Sequence, residues 1–211
     1  MSEFINNDFA DVVLNRRSIR LYDEKVKISR EEMLQMLNEA NEAPSSVNLQ
    51  PWRYVVVDTA EGKEALRPLV RFNQVQLDTA AAMIVIFADR KPHEYAEEIY
   101  GQAVKEGKMP QDVSERQLAM IMPRYGSLPE RDMDAIVIRD ASLAAMQLML
   151  VARAHGYDTN AIGGFDAEPM AATLDLDPDR YLPVLILSVG KAKEAGHDSV
   201  RLPADKITTF K

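Results

Sequence analysis

The 211-residue sequence predicts an α+β fold, with helices packed on a central sheet, and three observations predict it. First, apolar β-branched runs are short and few. Tyr54-Val55-Val56-Val57, Met83-Ile84-Val85-Ile86-Phe87 and Leu185-Ile186-Leu187-Ser188-Val189 read as buried strands, with Asp158 to Ile162 a weaker fourth. Second, segments of helical periodicity occupy more of the chain than these strands do. Third, neither G-x-G-x-x-G nor G-x-x-x-x-G-K-[ST] occurs, which removes the phosphate loops of doubly wound nucleotide-binding sheets.

The elements follow in order. Met1 to Asp8 is polar and lacks a basic stretch followed by an apolar one, so no targeting signal is expected and the cytoplasm is the predicted compartment. Ser29-Arg30-Glu31-Glu32 fits a capping box. Met33, Leu34, Met36, Leu37 and Ala40 then give one buried helical face, which ends near Ala43 because Pro44 disfavours helical geometry just before it. After the first two strands, residues 91–131 form a polar, charged, proline-bearing excursion from the core, within a single domain spanning 1–211. The longest helix is expected from about Arg131 to Ala154, with His155-Gly156 as its stop. Its middle, Ala141 to Ala152, is apolar nearly all round and must be covered on every side, by a partner subunit or as the central helix of a larger core. Asp166 is placed to cap a further helix, with Ala167, Glu168 and Pro169 in its first turn.

Composition bounds the chemistry. Hydrophobic residues make up 46% and charged residues 27%, which is globular. A 23.7 kDa chain is expected to expose about 9,800 Å² when folded, burying roughly 70% of its surface without covalent staples. The net charge of −8 argues against sequence-independent nucleic-acid binding and against anionic membranes. The longest apolar run, Ala80 to Ala88, is nine residues, against about 18 for a membrane span. No cysteine is present, which excludes disulfides, thiolate nucleophiles and cysteine-ligated metals. His93, His155 and His197 lie far apart in the chain, so no metal site is expected from spacing. No G-x-S-x-G elbow is present either.

Three segments could carry chemistry. Arg16-Arg17-Ser18-Ile19-Arg20 sets three guanidinium groups and a hydroxyl within five residues, a donor set matched to phosphate oxygens, or else a solvated basic surface. Pro44-Ser45-Ser46-Val47-Asn48-Leu49-Gln50-Pro51-Trp52 is a stiff loop displaying hydroxyls and carboxamides. Those groups can read a ring with donors and acceptors on one edge, or can serve an ordinary turn. Ile162-Gly163-Gly164-Phe165 lets backbone approach a flat ligand, or makes a plain strand-to-helix turn.

Taken in order, with Arg201-Leu202-Pro203 near the end, these segments resemble the FMN-dependent nitroreductase family from about Asn15 to Pro203, in its Gly-Gly-Phe subgroup. The resemblance implies a mostly antiparallel sheet and a homodimer with a long interface helix and FMN at the subunit interface. Arg16, Arg17, Ser18 and Arg20 would hold the phosphate, ribityl chain and pyrimidine edge, and Arg201 would add a second phosphate clamp. Asn73 and Gln76 would meet the pyrimidine edge, Gln76 standing where many relatives carry lysine. Pro44, Ser45, Ser46 and Asn48 would reach in from the other subunit, and Ile162, Gly163 and Gly164 would lie against the ring. The implied activity is hydride transfer from NAD(P)H through FMN to a nitroaromatic, quinone or similar flat acceptor by a ping-pong route. The 91–131 excursion would cover the flavin, with Met122 and Tyr125 facing the acceptor. The alternatives are a flavin carrier or sensor without turnover, or another family chemistry such as reductive dehalogenation or flavin breakdown.

Overall fold

The computed structural model describes residues 4–211. Its four strands, β1 (Trp52–Val57), β2 (Ala82–Asp89), β3 (Asp158–Ile162) and β4 (Tyr181–Gly190), form one antiparallel sheet in the order β1-β2-β4-β3. Every residue of the inner strand β2 is buried, as its unbroken apolar run requires. β4 begins four residues before its β-branched run. Pro183, which has no N–H for the ladder, is accommodated where the β2–β4 register shifts between Ile86 and Phe87.

Helices α1 (Phe9–Leu14), α2 (Arg30–Ala40), α3 (Ala60–Leu66), α4 (Gln74–Thr79), α5 (Ala96–Lys105), α6 (Gln111–Gly126), α7 (Glu130–Ala154) and α8 (Met170–Thr173) surround the sheet. Ser29 caps α2 by accepting from the Glu32 amide at 3.1 Å. That helix stops at Ala40, short of Ala43, where the Asn41 side chain turns to accept from the Trp52 indole at 2.8 Å. On one sheet face Ala82, Ile84, Ile86, Leu187 and Val189 pack under α2 and α7. On the other, Met83, Val85, Phe87 and Ile186 pack against Ile19, Tyr22, Leu66, Leu77 and Met170. The Tyr22 hydroxyl shares a hydrogen bond of 2.8 Å with the Ser188 hydroxyl, fastening the N-terminal segment to β4.

α7 has the expected length, with His155 at its C-cap and Gly156 beyond it at φ 82°. It is long and apolar enough to cross a membrane by length and composition, yet its Val137–Ala141–Ala144–Leu148 stripe packs on the sheet. Its remaining apolar face is open: Ile138, Leu143 and Met146 are about 40% exposed. The chain exposes 12483 Å², well above the about 9,800 Å² of a compact monomer of its mass.

Asp166 does not cap a helix. α8 starts only at Met170, and the Asp166 carboxylate instead pairs with Arg71 at 2.7 Å. The 91–131 excursion is helical. Its α5 and α6 return Ala96, Tyr100, Ile121 and Tyr125 to the core on the α7 side. Its root is fixed by the fully buried Asp89, which accepts two bonds from Arg180 (2.9 and 3.0 Å) and one from Arg53 (3.2 Å).

Candidate functional site

The basic segment lies along the edge of the sheet. Ser18 bridges Thr159 of β3, and the Ile19 amide donates to the Thr159 carbonyl at 3.1 Å. This pairing fixes residues 16–20 beside the strand that ends in Ile162-Gly163-Gly164. Arg16, Arg17, Ser18, Arg20 and Arg201 line one cleft of about 270 Å³ with His197, Asp198 and Ser199. The fold thus brings Arg201 beside the N-terminal arginines across some 180 residues of chain.

The arginines differ in their partners. Arg17 donates to the Leu14 and Arg16 carbonyls at 3.1 Å and to exposed Asp198 at 3.4 Å. Arg201 donates to the Ser199 hydroxyl at 2.7 Å. The Arg20 amide donates to Glu194 at 2.8 Å. The half-buried Arg16 guanidinium makes no hydrogen bond or ion pair among the described residues. Burial, then the guanidinium groups of Arg201, Arg17 and Arg153, pulls it below the usual arginine range. Arg153 itself is neutralised by Asp11 at 2.9 Å and Asp158 at 2.8 Å. The cleft thus holds positive charge in excess of its carboxylates, which is the electrostatic description of an anion site.

At the other end of β3, the Gln76 carboxamide donates to Asn73 Oδ1 at 3.1 Å, and Asn73 Nδ2 donates to the Gly164 carbonyl at 3.3 Å. Gln76 is buried, so this chain is firmly placed. A Cβ built on Gly163 or Gly164 would meet nothing within 4 Å, and neither has a positive φ. No internal packing or backbone strain calls for glycine here; the open space lies outside the chain. From Thr159 to Gly164 the strand rise amounts to roughly 16 Å. One edge therefore carries a positively charged cleft at one end and an open, carboxamide-rimmed backbone face at the other.

The second loop is elsewhere. Ser46 donates to Asp140 of α7 through its amide (2.9 Å) and its hydroxyl (3.2 Å), and Tyr100 of α5 donates to the Val47 carbonyl at 3.0 Å. The Ser45 hydroxyl accepts from the Gln50 amide at 3.0 Å. Val47, Asn48 and Gln50 all have positive φ (44°, 55° and 46°), a costly conformation for non-glycine residues and most of all for a β-branched one. Pro44 and Asn48 stand exposed on this loop. Asn48 lines a cavity of about 510 Å³ with Gln50, Arg53, Tyr95 and α5, not the arginine cleft. Among the described residues, then, the loop and the arginine segment line different cavities.

Tyr125 is buried and Met122 partly buried, both against the core beneath this loop. Burial, then the Asp140 carboxylate, pushes the Tyr125 hydroxyl up, while a hydrogen bond with Ser46 draws it down. Sequence reasoning missed Asp140, which is 3% exposed. Burial pushes its carboxyl up, and the Ser46 bonds pull it back. The signal was present: an acid in register with Val137, Ala141 and Ala144 belongs to a buried stripe.

The sequence pattern of the Nitroreductase family matches residues 13–191. YdgI of Bacillus subtilis, which carries an NAD(P)H nitroreductase name, is 53% identical over 205 residues, 97% of this chain and 98% of its own. The CLA biosynthesis enone reductase of Lactiplantibacillus plantarum is 39% identical across all of this chain and 97% of its own. A protein of Exiguobacterium sibiricum 255-15, described as a nitroreductase and crystallised in complex with FMN, superposes with a TM-score of 0.96 at 50% identity, each chain covered in full. The four-strand antiparallel sheet, the placement of the arginine and glycine segments along β3 and these matches agree: this chain belongs to the nitroreductase family.

Proposed function

We propose that this chain is an FMN-dependent NAD(P)H oxidoreductase that acts as a homodimer and passes hydride to nitroaromatic, quinone or similar flat acceptors. The observation that carries the reading is Arg16. A half-buried guanidinium without a carboxylate, crowded by Arg17 and Arg201, is stable beside a bound dianion and costly without one. The open backbone at Gly163 and Gly164, on the strand that the arginine segment pairs with, leaves room for a flat ring.

Bound there, FMN would supply two-electron exchange between a nicotinamide and an acceptor. Arg16, Arg17, Ser18 and Arg201 hold the phosphate by charge-assisted hydrogen bonds. Asn73 and Gln76 orient the pyrimidine edge through the carboxamide chain that ends on Gly164. Arg20 lines the same cleft as the phosphate-binding arginines and would add positive charge that stabilises a negatively charged ring. Ile162, Gly163 and Gly164 face the ring with backbone. Pro44, Ser45, Ser46 and Asn48 come from the second subunit, held by Asp140 and Tyr100 in a loop that lines a different cavity from the arginine segment of its own chain. The open face of α7 and the excess exposed surface support that assembly. Donor and acceptor would share this site in a ping-pong route, which fits a sequence without a separate dinucleotide fingerprint. α5 and α6 of the second subunit, which carry the loop, cover that face, with Met122 and Tyr125 supporting the cover from the core side, and the cytoplasm is the site of action.

The test is a visible spectrum of the purified protein followed by anaerobic NADH or NADPH. Rapid bleaching of a yellow protein, reversed by a nitroaromatic or quinone, is the expected result. Failure to retain FMN overturns the reading, and a colour that persists indicates a flavin carrier. The 39% identity to an enone reductase favours a second acceptor class, α,β-unsaturated ketones. Including one in the acceptor panel decides between the two.

A further inference from the structure

A second cavity adjoins the glycine end of the β3 edge. It encloses about 280 Å³ and is lined by Leu69, Arg71, Phe72, Gly164, Phe165 and Asp166. Gly164 belongs to both places: its carbonyl accepts from Asn73, and it also lines this cavity. Phe72 stands 93% exposed, although a phenyl ring gains much by burial. Phe165 faces the same space. Two aromatic side chains thus flank an opening that meets the proposed ring site.

Arg71 adds a charge to this opening. Its Nη2 donates to Asp166 at 2.7 Å and its Nε to the Pro68 carbonyl at 3.4 Å. Its Nη1 makes no hydrogen bond among the described residues. The Asp166 amide donates to the Leu69 carbonyl at 2.9 Å, which fixes the carboxylate's backbone, while Arg71 sits at the end of a long flexible stem. Both partners are well exposed, and ion pairs of that kind are weak and exchange readily with other anions.

We propose that this cavity is a substrate pocket with a preference for an anionic group. The two phenyl rings take the flat or apolar body, Arg71 takes a carboxylate or phosphate, and Asp166 is the competing anion that limits how tightly it binds. The inference rests on the function proposed above and assigns that site a substrate class. The anion has two possible sources, the phosphates of the nicotinamide donor or a carboxylate on the acceptor.

The experiment is steady-state kinetics of the FMN-loaded wild type, Arg71→Gln and Asp166→Asn. It uses 4-nitrobenzoate and the neutral 4-nitrobenzyl alcohol as acceptors, with NADH varied separately. Both substitutions are on the surface, and flavin content and thermal melting check that each variant is intact. If the acceptor supplies the anion, the ratio of kcat/KM for 4-nitrobenzoate over 4-nitrobenzyl alcohol falls about two- to fivefold in Arg71→Gln, the scale of one exposed ion pair. The same ratio rises in Asp166→Asn. If the donor supplies it, the KM for NADH rises in Arg71→Gln and falls in Asp166→Asn, and the acceptor ratio stays fixed. Ratios and NADH KM that do not move, or that move the same way in both variants, overturn the pocket while leaving the flavoenzyme reading in place. A wild type that retains no FMN overturns both.

Discussion

Replacing Arg16 with glutamine has two effects of opposite sign, and their combination is specific to an anion site. In the free protein the wild-type guanidinium is half-buried, has no carboxylate among the described residues and faces Arg17 and Arg201. Its removal relieves that repulsion. Like charges at a partly exposed site oppose folding by up to about 1 kcal/mol, so the midpoint of thermal unfolding should hold or rise by about 2–4 °C. In the FMN-bound protein the same change removes a charge-assisted hydrogen bond worth about 1.5–3 kcal/mol, which weakens FMN by roughly 10- to 150-fold. FMN at 100 times the wild-type Kd should stabilise the wild type by about 2.7 kcal/mol and the variant by only about 0.3–1.4 kcal/mol. Flavin-fluorescence titration gives the Kd, and melting with and without FMN gives the two stabilities. An unchanged Kd, or a free protein that melts clearly lower, would refute the assignment of Arg16 to the phosphate.

Three further outcomes are expected. Arg16→Glu and Asn48→Trp homodimers should each be nearly inactive, and equal mixing with subunit exchange should restore about a quarter of wild-type activity, because one site of each mixed dimer collects neither lesion; no recovery in mixed dimers identified by mass spectrometry would place each site within one chain. Val47→Gly should stabilise the protein by about 0.5–1 kcal/mol, since glycine removes most of the left-handed cost at φ 44° and the side chain is already substantially exposed; a lower melting midpoint would show that the valine packs more than it strains. Asp89→Ala leaves Arg180 and Arg53 without their buried carboxylate and should cost about 3–5 kcal/mol, read by chemical denaturation, with a loss below about 1 kcal/mol contradicting the role of this network.

The strands were legible because each is an apolar run with β-branched residues, and β3 was faint because Asp158-Thr159-Asn160 is polar yet still completes the sheet edge. α1, α3 and α4 run only six or seven residues, too short for helical periodicity to register. The Asp166 cap was misjudged because an aspartate before a proline-bearing turn looks the same whether it bonds backbone amides or a distant arginine; only the fold brings Arg71 to it. The basic and glycine segments were identifiable as types of site, but their alignment along one strand depends on the Ser18–Thr159 bridge, a pairing across 141 positions that no local pattern encodes. The restraint of the 45–50 loop by Asp140 was hidden for a similar reason. Its backbone angles are paid for by contacts from α5 and α7, not by glycines in the loop itself.

The central position of β2 has a consequence for how the chain is made. One edge of β2 pairs with β1, which precedes it, but its other edge waits for β4. Gly190 leaves the ribosome 190 − 88 = 102 residues after Ala88. At about 5–20 residues per second, the chargeless run Ala80 to Ala88 spends roughly 5–20 s with an unpaired edge. A nine-residue apolar segment without proline or charge is the kind that seeds intermolecular pairing. Synthesis of this protein therefore has a vulnerable interval set by the strand order, and soluble yield should fall as expression temperature and rate rise, well before the stability of the finished fold is challenged.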